Sequence, residues 1–112
     1  MKRIAIQQAI TGFDGNPLIE PTTGEPVKVK DILLVYAASY EAKEPKKAIR
    51  MRQLGQEIYD AKIDMFEIED ADLDLLQEAM KTPRHTALAM GIVYKTLEEA
   101  EEVKKNKEEE ND

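Results

Sequence analysis

The chain has 112 residues, 42% hydrophobic and 35% charged, with 16 Lys and Arg against 23 Asp and Glu for a formal net charge of −7. One domain of that size buries about two-thirds of the surface its unfolded chain exposes, enough for a core without covalent staples. With no cysteine, disulfides, thiolate metal sites and cysteine nucleophiles are excluded, and the negative charge disfavours direct nucleic-acid binding, which depends on Lys and Arg displacing counterions.

The N-terminus Met1-Lys2-Arg3-Ile4-Ala5-Ile6-Gln7-Gln8 turns polar too soon for an export or anchoring signal, and no run approaches the ~18 apolar residues of a membrane span. A cytoplasmic location and no membrane partner are expected. Ile4, Ile6 and Ile10 recur at even spacing, which predicts a strand over 3–10 with one buried face. Turn formers crowd 11–17, with Asp14-Gly15 the strongest pair because glycine accepts positive φ without steric cost. Leu18 and Ile19 then read as the return strand. After a second turn signal over 21–26, Val27 and Val29 extend the pairing, giving an N-terminal β-hairpin.

From Asp31 an apolar run, Ile32-Leu33-Leu34-Val35-Tyr36-Ala37-Ala38, continues to Tyr40 and predicts a buried helix. Pro45 stands where a second helix starts, since proline at the first helical position forfeits no hydrogen bond. Met51, Leu54, Ile58 and Tyr59 form its apolar stripe, while Lys46, Lys47, Arg50 and Arg52 make another side basic. Gly55 is a weak point costing about 1 kcal/mol relative to alanine, so the helix either ends early or meets a close neighbour there.

The segment 63–68 predicts one later short strand pairing with the N-terminal sheet, and 70–80 a helix with Leu73, Leu76 and Met80 inward. Thr82-Pro83 reads as the cap of a last helix over 84–103, with Leu88, Ile92 and Leu97 for bulk and Ala87 and Gly91 for close contact. The fold class is therefore α+β: an N-terminal β-hairpin plus one later short strand, packed with about four α-helices. A single domain over 1–103 would be followed by a flexible acidic tail over 104–112, which has nothing apolar to bury.

The net charge is concentrated in 60–78, where eight carboxylates face Lys62 alone. Asp70-Ala71-Asp72-Leu73-Asp74 imitates the start of a calcium loop, but Leu75 stands where that loop needs glycine and Lys81 where it needs glutamate. A helix start explains the centre of the block better. Glu69 would be the N-cap, Ile68 and Leu73 a hydrophobic staple, and Asp70 and Asp72 first-turn acids, with Asp72 reaching back to the start. Asp60, Asp64, Glu67 and Glu78 lack that rationale, so they are candidates for partner binding, together with the basic residues Lys46, Lys47 and Arg50.

Catalytic equipment is sparse. His85 is the only histidine and reads as a surface or half-buried structural residue. Ser39 lies in an apolar helix without a nucleophile elbow, and five scattered glycines make no phosphate-cradling loop. No cofactor, no metal and no enzymatic activity are expected.

Asp14-Gly15-Asn16-Pro17-Leu18-Ile19, Val27-Lys28-Val29-Lys30-Asp31-Ile32-Leu33, Ile68-Glu69-Asp70-Ala71-Asp72-Leu73 and a last helix ending near Leu97-Glu98 give an order of elements that resembles small tailed-phage and prophage proteins, often encoded near virion structural genes. The chain differs in carrying Glu69-Asp70 where Ser or Thr is the more usual cap, and in its long tail. The resemblance implies a non-enzymatic interaction or assembly factor, phage or prophage encoded and acting in the host cytoplasm, that binds a protein partner through helical surfaces. Segregated charge also permits a homo-oligomer. The alternative is an acidic nucleic-acid mimic that inhibits a host DNA- or RNA-binding protein.

Overall fold

The computed structural model describes residues 1–102, so the expected acidic tail lies outside the described residues. Its elements run β1 (Lys2–Ala5), α1 (Val29–Ser39), α2 (Pro45–Asp60), β2 (Met65–Ile68), α3 (Asp70–Ala79), α4 (Ala87–Glu98) and β3 (Glu101–Glu102). The fold is α+β. Three antiparallel strands in the order β2-β1-β3 pair the N-terminus with the later strand, in a register that sets Ile4 opposite Phe66 and Lys2 opposite both Ile68 and Glu102. Phe66 and Ile68 turn to the core, while Met65 and Glu67 face outward, the two-residue alternation of a half-buried strand.

The first strand is shorter than its isoleucine spacing suggests. It ends at Ala5, where the Gln8 amide donates to the Ala5 carbonyl at 3.3 Å and reverses the chain. Beyond this turn the predicted hairpin is present as a ribbon of isolated bridges, Ala9 with Lys28, Thr11 with Pro17 and Ile19 with Pro26. Pro17 and Pro26 have no amide hydrogen to give, so the ribbon cannot extend into a regular ladder. Ile10 nonetheless sits at its centre, donating to Val27 and accepting from Leu18, both at 2.8 Å. Ile4, Ile6 and Ile10 are all buried, so their inward face was legible even though the strand stops short.

Helix α1 begins two residues before Asp31, because the Asp31 carboxylate accepts the Lys28 amide at 2.9 Å and closes the first turn. Val29, Leu33 and Tyr36 form its most buried face. Helix α2 starts at Pro45 as predicted and runs through Gly55 to Asp60. A neighbour does pack closely there: a Cβ at Gly55 would lie 3.4 Å from the Ala37 Cβ of α1. Met51, Leu54 and Ile58 are buried, but Tyr59, expected in the same stripe, is 64% exposed.

Helix α4 starts at Ala87 rather than 84, with Thr86 at the N-cap position. The preceding residues are pinned to α1 instead. The Arg84 amide donates to the Tyr36 hydroxyl at 2.8 Å, and the His85 ring lies 5.6 Å from the Tyr36 ring. The inward face differs in part from the expected one: Leu97 is buried as expected, together with Ala89, Met90, Val93 and Thr96, whereas Leu88 and Ile92 are only half-buried. Ala87 is exposed and Gly91 has open space around it, so they make no helix contact of the expected kind. The helix stops at Glu98, short of 103, and the chain turns to pair β3 with β1.

Candidate functional site

The seven charged residues marked out by the sequence do not form one surface. Arg50, one turn beyond the start of α2, reaches α3. Its Nε donates to Asp72 Oδ1 at 2.8 Å and its Nη2 to Oδ2, a two-pronged pairing of guanidinium with carboxylate. The same guanidinium meets Glu57, about two turns further along the same side of α2, at 3.3 Å. Hydrogen bonding to Asp72 raises the guanidinium's hold on its proton still further. Asp72 is thus not directed back to the start of its own helix, as a first-turn acid would be. Its side chain is only 10% exposed, whereas the N-cap residue Glu69 makes no side-chain cap bond.

Glu78 is similarly engaged. The Tyr40 hydroxyl donates to its Oε2 at 2.6 Å, and Lys47 Nζ approaches Oε1 at 3.5 Å. The bond from Tyr40 holds the Glu78 carboxyl below the usual carboxylate range, and pushes the Tyr40 phenol up to about 12. Lys47, Arg50 and Glu78 therefore tie α2 to α3 and to the end of α1. Glu67 on β2 pairs with Arg3 on β1 at 3.6 Å, and Asp60 accepts Gln56 Nε2 at 3.1 Å. Lys46 and Asp64 are exposed, the first on α2 and the second in the connection before β2. Among the described residues no group of three or more His, Asp or Glu could hold a metal ion.

His85 is half-buried, and its buried Nδ1 has no hydrogen-bond partner among the described residues. It lines a concavity of about 490 Å³, walled by Leu18 and Val27 of the ribbon and Ile32 of α1, with Glu20 and Arg84 among its charged residues. Arg84 and His85 precede the start of α4 at Ala87, so both belong to the connection that Tyr36 holds down.

A second concavity, about 460 Å³, is the candidate functional site. It is a groove along the outer side of the α1–α2 pair. From α1 come Leu34, Ala37 and Ala38, spaced i, i+3, i+4, and from α2 come Met51, Arg52, Gly55, Gln56 and Tyr59. That spacing places each set on a single helix face. The groove exists because Ala37, Ala38 and Gly55 supply little bulk where two helices meet. The close approach at Gly55 fixes its floor. Tyr59 stands on the rim beside Arg52, for which no ion pair occurs among the described residues. The sequence reading placed Tyr59 in the core and Arg52 on a general basic side. The Ala37-Ala38 pair at the end of an apolar helix, with Gly55 opposite, was the signal available for the groove.

Comparison of the chain with protein-family models, with curated proteins and with solved structures found no match. Among the described residues, no helix is long and apolar enough to cross a membrane.

Proposed function

We propose that this chain is a non-enzymatic protein-interaction or assembly factor that receives an apolar side chain of a protein partner in the α1–α2 groove. The groove itself carries the reading. Its floor is alanine, glycine and methionine, its rim offers an exposed aromatic ring, and a cation stands at one side. Such a surface takes an aromatic or aliphatic anchor and selects an acidic neighbour for it. It lacks the convergent acid, base and nucleophile that catalysis requires. The likeness to tailed-phage proteins suggests a virion assembly partner in the host cytoplasm.

Selection of a displayed random-peptide library on the protein tests this. Bound peptides should carry an aromatic or leucine anchor next to Asp or Glu. Ala38→Glu, which places an acid in the groove, should weaken them about tenfold or more, and Lys95→Ala, an exposed site on α4 outside the groove, should leave them unchanged. Peptides indifferent to Ala38→Glu would contradict the reading.

A further inference from the structure

The most exposed large apolar side chain of the described residues is Phe13, at 97% exposure. It stands on a turn built to hold it outward. The Gly15 amide donates to the Gly12 carbonyl at 3.0 Å, Gly15 takes φ +84°, and the Asp14 carboxylate accepts both the amide and the side-chain nitrogen of Asn16, at 3.0 and 3.2 Å. The turn is therefore ordered before any contact is made, so presenting Phe13 demands little further loss of chain entropy. An almost fully solvated phenyl ring on an ordered turn contributes little to its own fold and is a ready-made anchor.

We propose that Phe13 of one copy inserts into the α1–α2 groove of a second copy, joining chains head to tail. The proposal rests on the reading of the groove as a docking surface and names its occupant. Complementarity is threefold. The groove, about 460 Å³ in volume, has more room than one phenyl ring needs, so the ring enters without rearrangement. Tyr59 on the rim offers a ring for an offset or edge-on aromatic contact. Arg52 meets both the face of the incoming ring and the Asp14 carboxylate beside it, an acid that the turn presents next to Phe13. Knob and groove occupy different parts of the molecule, so the contact is heterologous: each chain keeps one free knob and one free groove, and association continues until a ring closes. A contact centred on one side chain is far smaller than a standard interface, so each junction is weaker than ~1 μM.

Sedimentation velocity of the full chain up to about 1 mM tests the proposal, with three variants of exposed sites whose folding is checked by circular dichroism. Wild type should show a mass that rises with concentration past the dimer. Phe13→Ser, lacking the knob, and Ala38→Glu, lacking an open groove, should each remain monomeric. Mixed together, they should form a one-to-one dimer and stop, because the pair retains one knob and one groove that match. Arg52→Gln should lower the association constant about tenfold. Wild type monomeric at every concentration would overturn the proposal, as would two variants that associate like wild type or a mixture that stays monomeric. If library peptides still bind the groove of a monomeric wild type, self-association fails while the docking surface stands. If they do not, the docking surface itself fails.

Discussion

Arg50 and Asp72 lock α2 against α3 through two parallel hydrogen bonds, with the Asp72 side chain 10% exposed and Arg50 35% exposed. The carboxylate has left water and the guanidinium has not entirely done so. Removing the cation leaves a nearly buried anion unpaired, which costs more than the pair contributes. Arg50→Met should therefore destabilise the fold by about 1–3 kcal/mol in chemical denaturation. The double replacement Arg50→Met with Asp72→Leu should recover most of that loss, because neither charge then remains.

Tyr40 and Glu78 give the fold a defined response to pH. Glu78 titrates below its ordinary value because Tyr40 donates to its carboxylate, so the stabilisation is present above the unfolded value of ~4.3 and lost as pH falls through the folded one. At the alkaline end the neutral phenol is the favoured form. Its contribution is complete below the unfolded ~10 and lost as pH rises toward the folded value of about 12. Ultraviolet titration should show a tyrosinate step near 12 that disappears in Tyr40→Phe and moves to lower pH in Glu78→Gln.

Gly55 trades stability for the groove. Alanine there gains helix propensity of up to about 1 kcal/mol, and its Cβ would meet Ala37 at 3.4 Å, the near edge of ordinary contact. Gly55→Ala should raise the denaturation midpoint slightly. The same methyl group narrows the groove floor, so peptide affinity should fall in the variant that is more stable.

His85 holds a buried ring nitrogen without a partner among the described residues, a cost that its packing on Tyr36 offsets. His85→Phe keeps the aromatic contact and removes the orphan group. Its stability should equal or exceed wild type by up to about 1–3 kcal/mol, whereas His85→Ala, which loses the contact too, should not gain.

What the sequence disclosed was governed by local rules. Pro45 at a first helical position, the inward Leu73, Leu76 and Met80, and the alternation of Phe66 and Ile68 depend on residue type and spacing, and the structure has them there. The failures came where tertiary contacts decided. The hydroxyl of Tyr36 holds the Arg84 amide, a contact 48 residues apart in sequence, and α4 starts only after it, at Ala87. Asp72 satisfies the pattern of a first-turn acid but lies within reach of Arg50, 22 residues away in sequence. Lys47, Arg50 and Glu78 stand out in the sequence as candidates for partner binding, yet they pair within the fold, because nothing in a linear chain says which acid faces which base. The groove left only a faint signal for the same reason: it is a shortage of bulk shared by Ala37, Ala38 and Gly55, and it takes shape only once α1 and α2 are side by side.

The central claim is that the α1–α2 groove receives a partner's apolar side chain. Amide chemical shifts of the isotope-labelled full chain, followed during titration with a library-selected peptide, test it most directly. The account predicts that the shifts that move gather at Leu34, Ala37, Ala38, Gly55 and Tyr59 and vanish in Ala38→Glu. Shifts gathered instead around His85 and Leu18, or on β2 at Met65 and Glu67, with the groove amides unmoved, would contradict it.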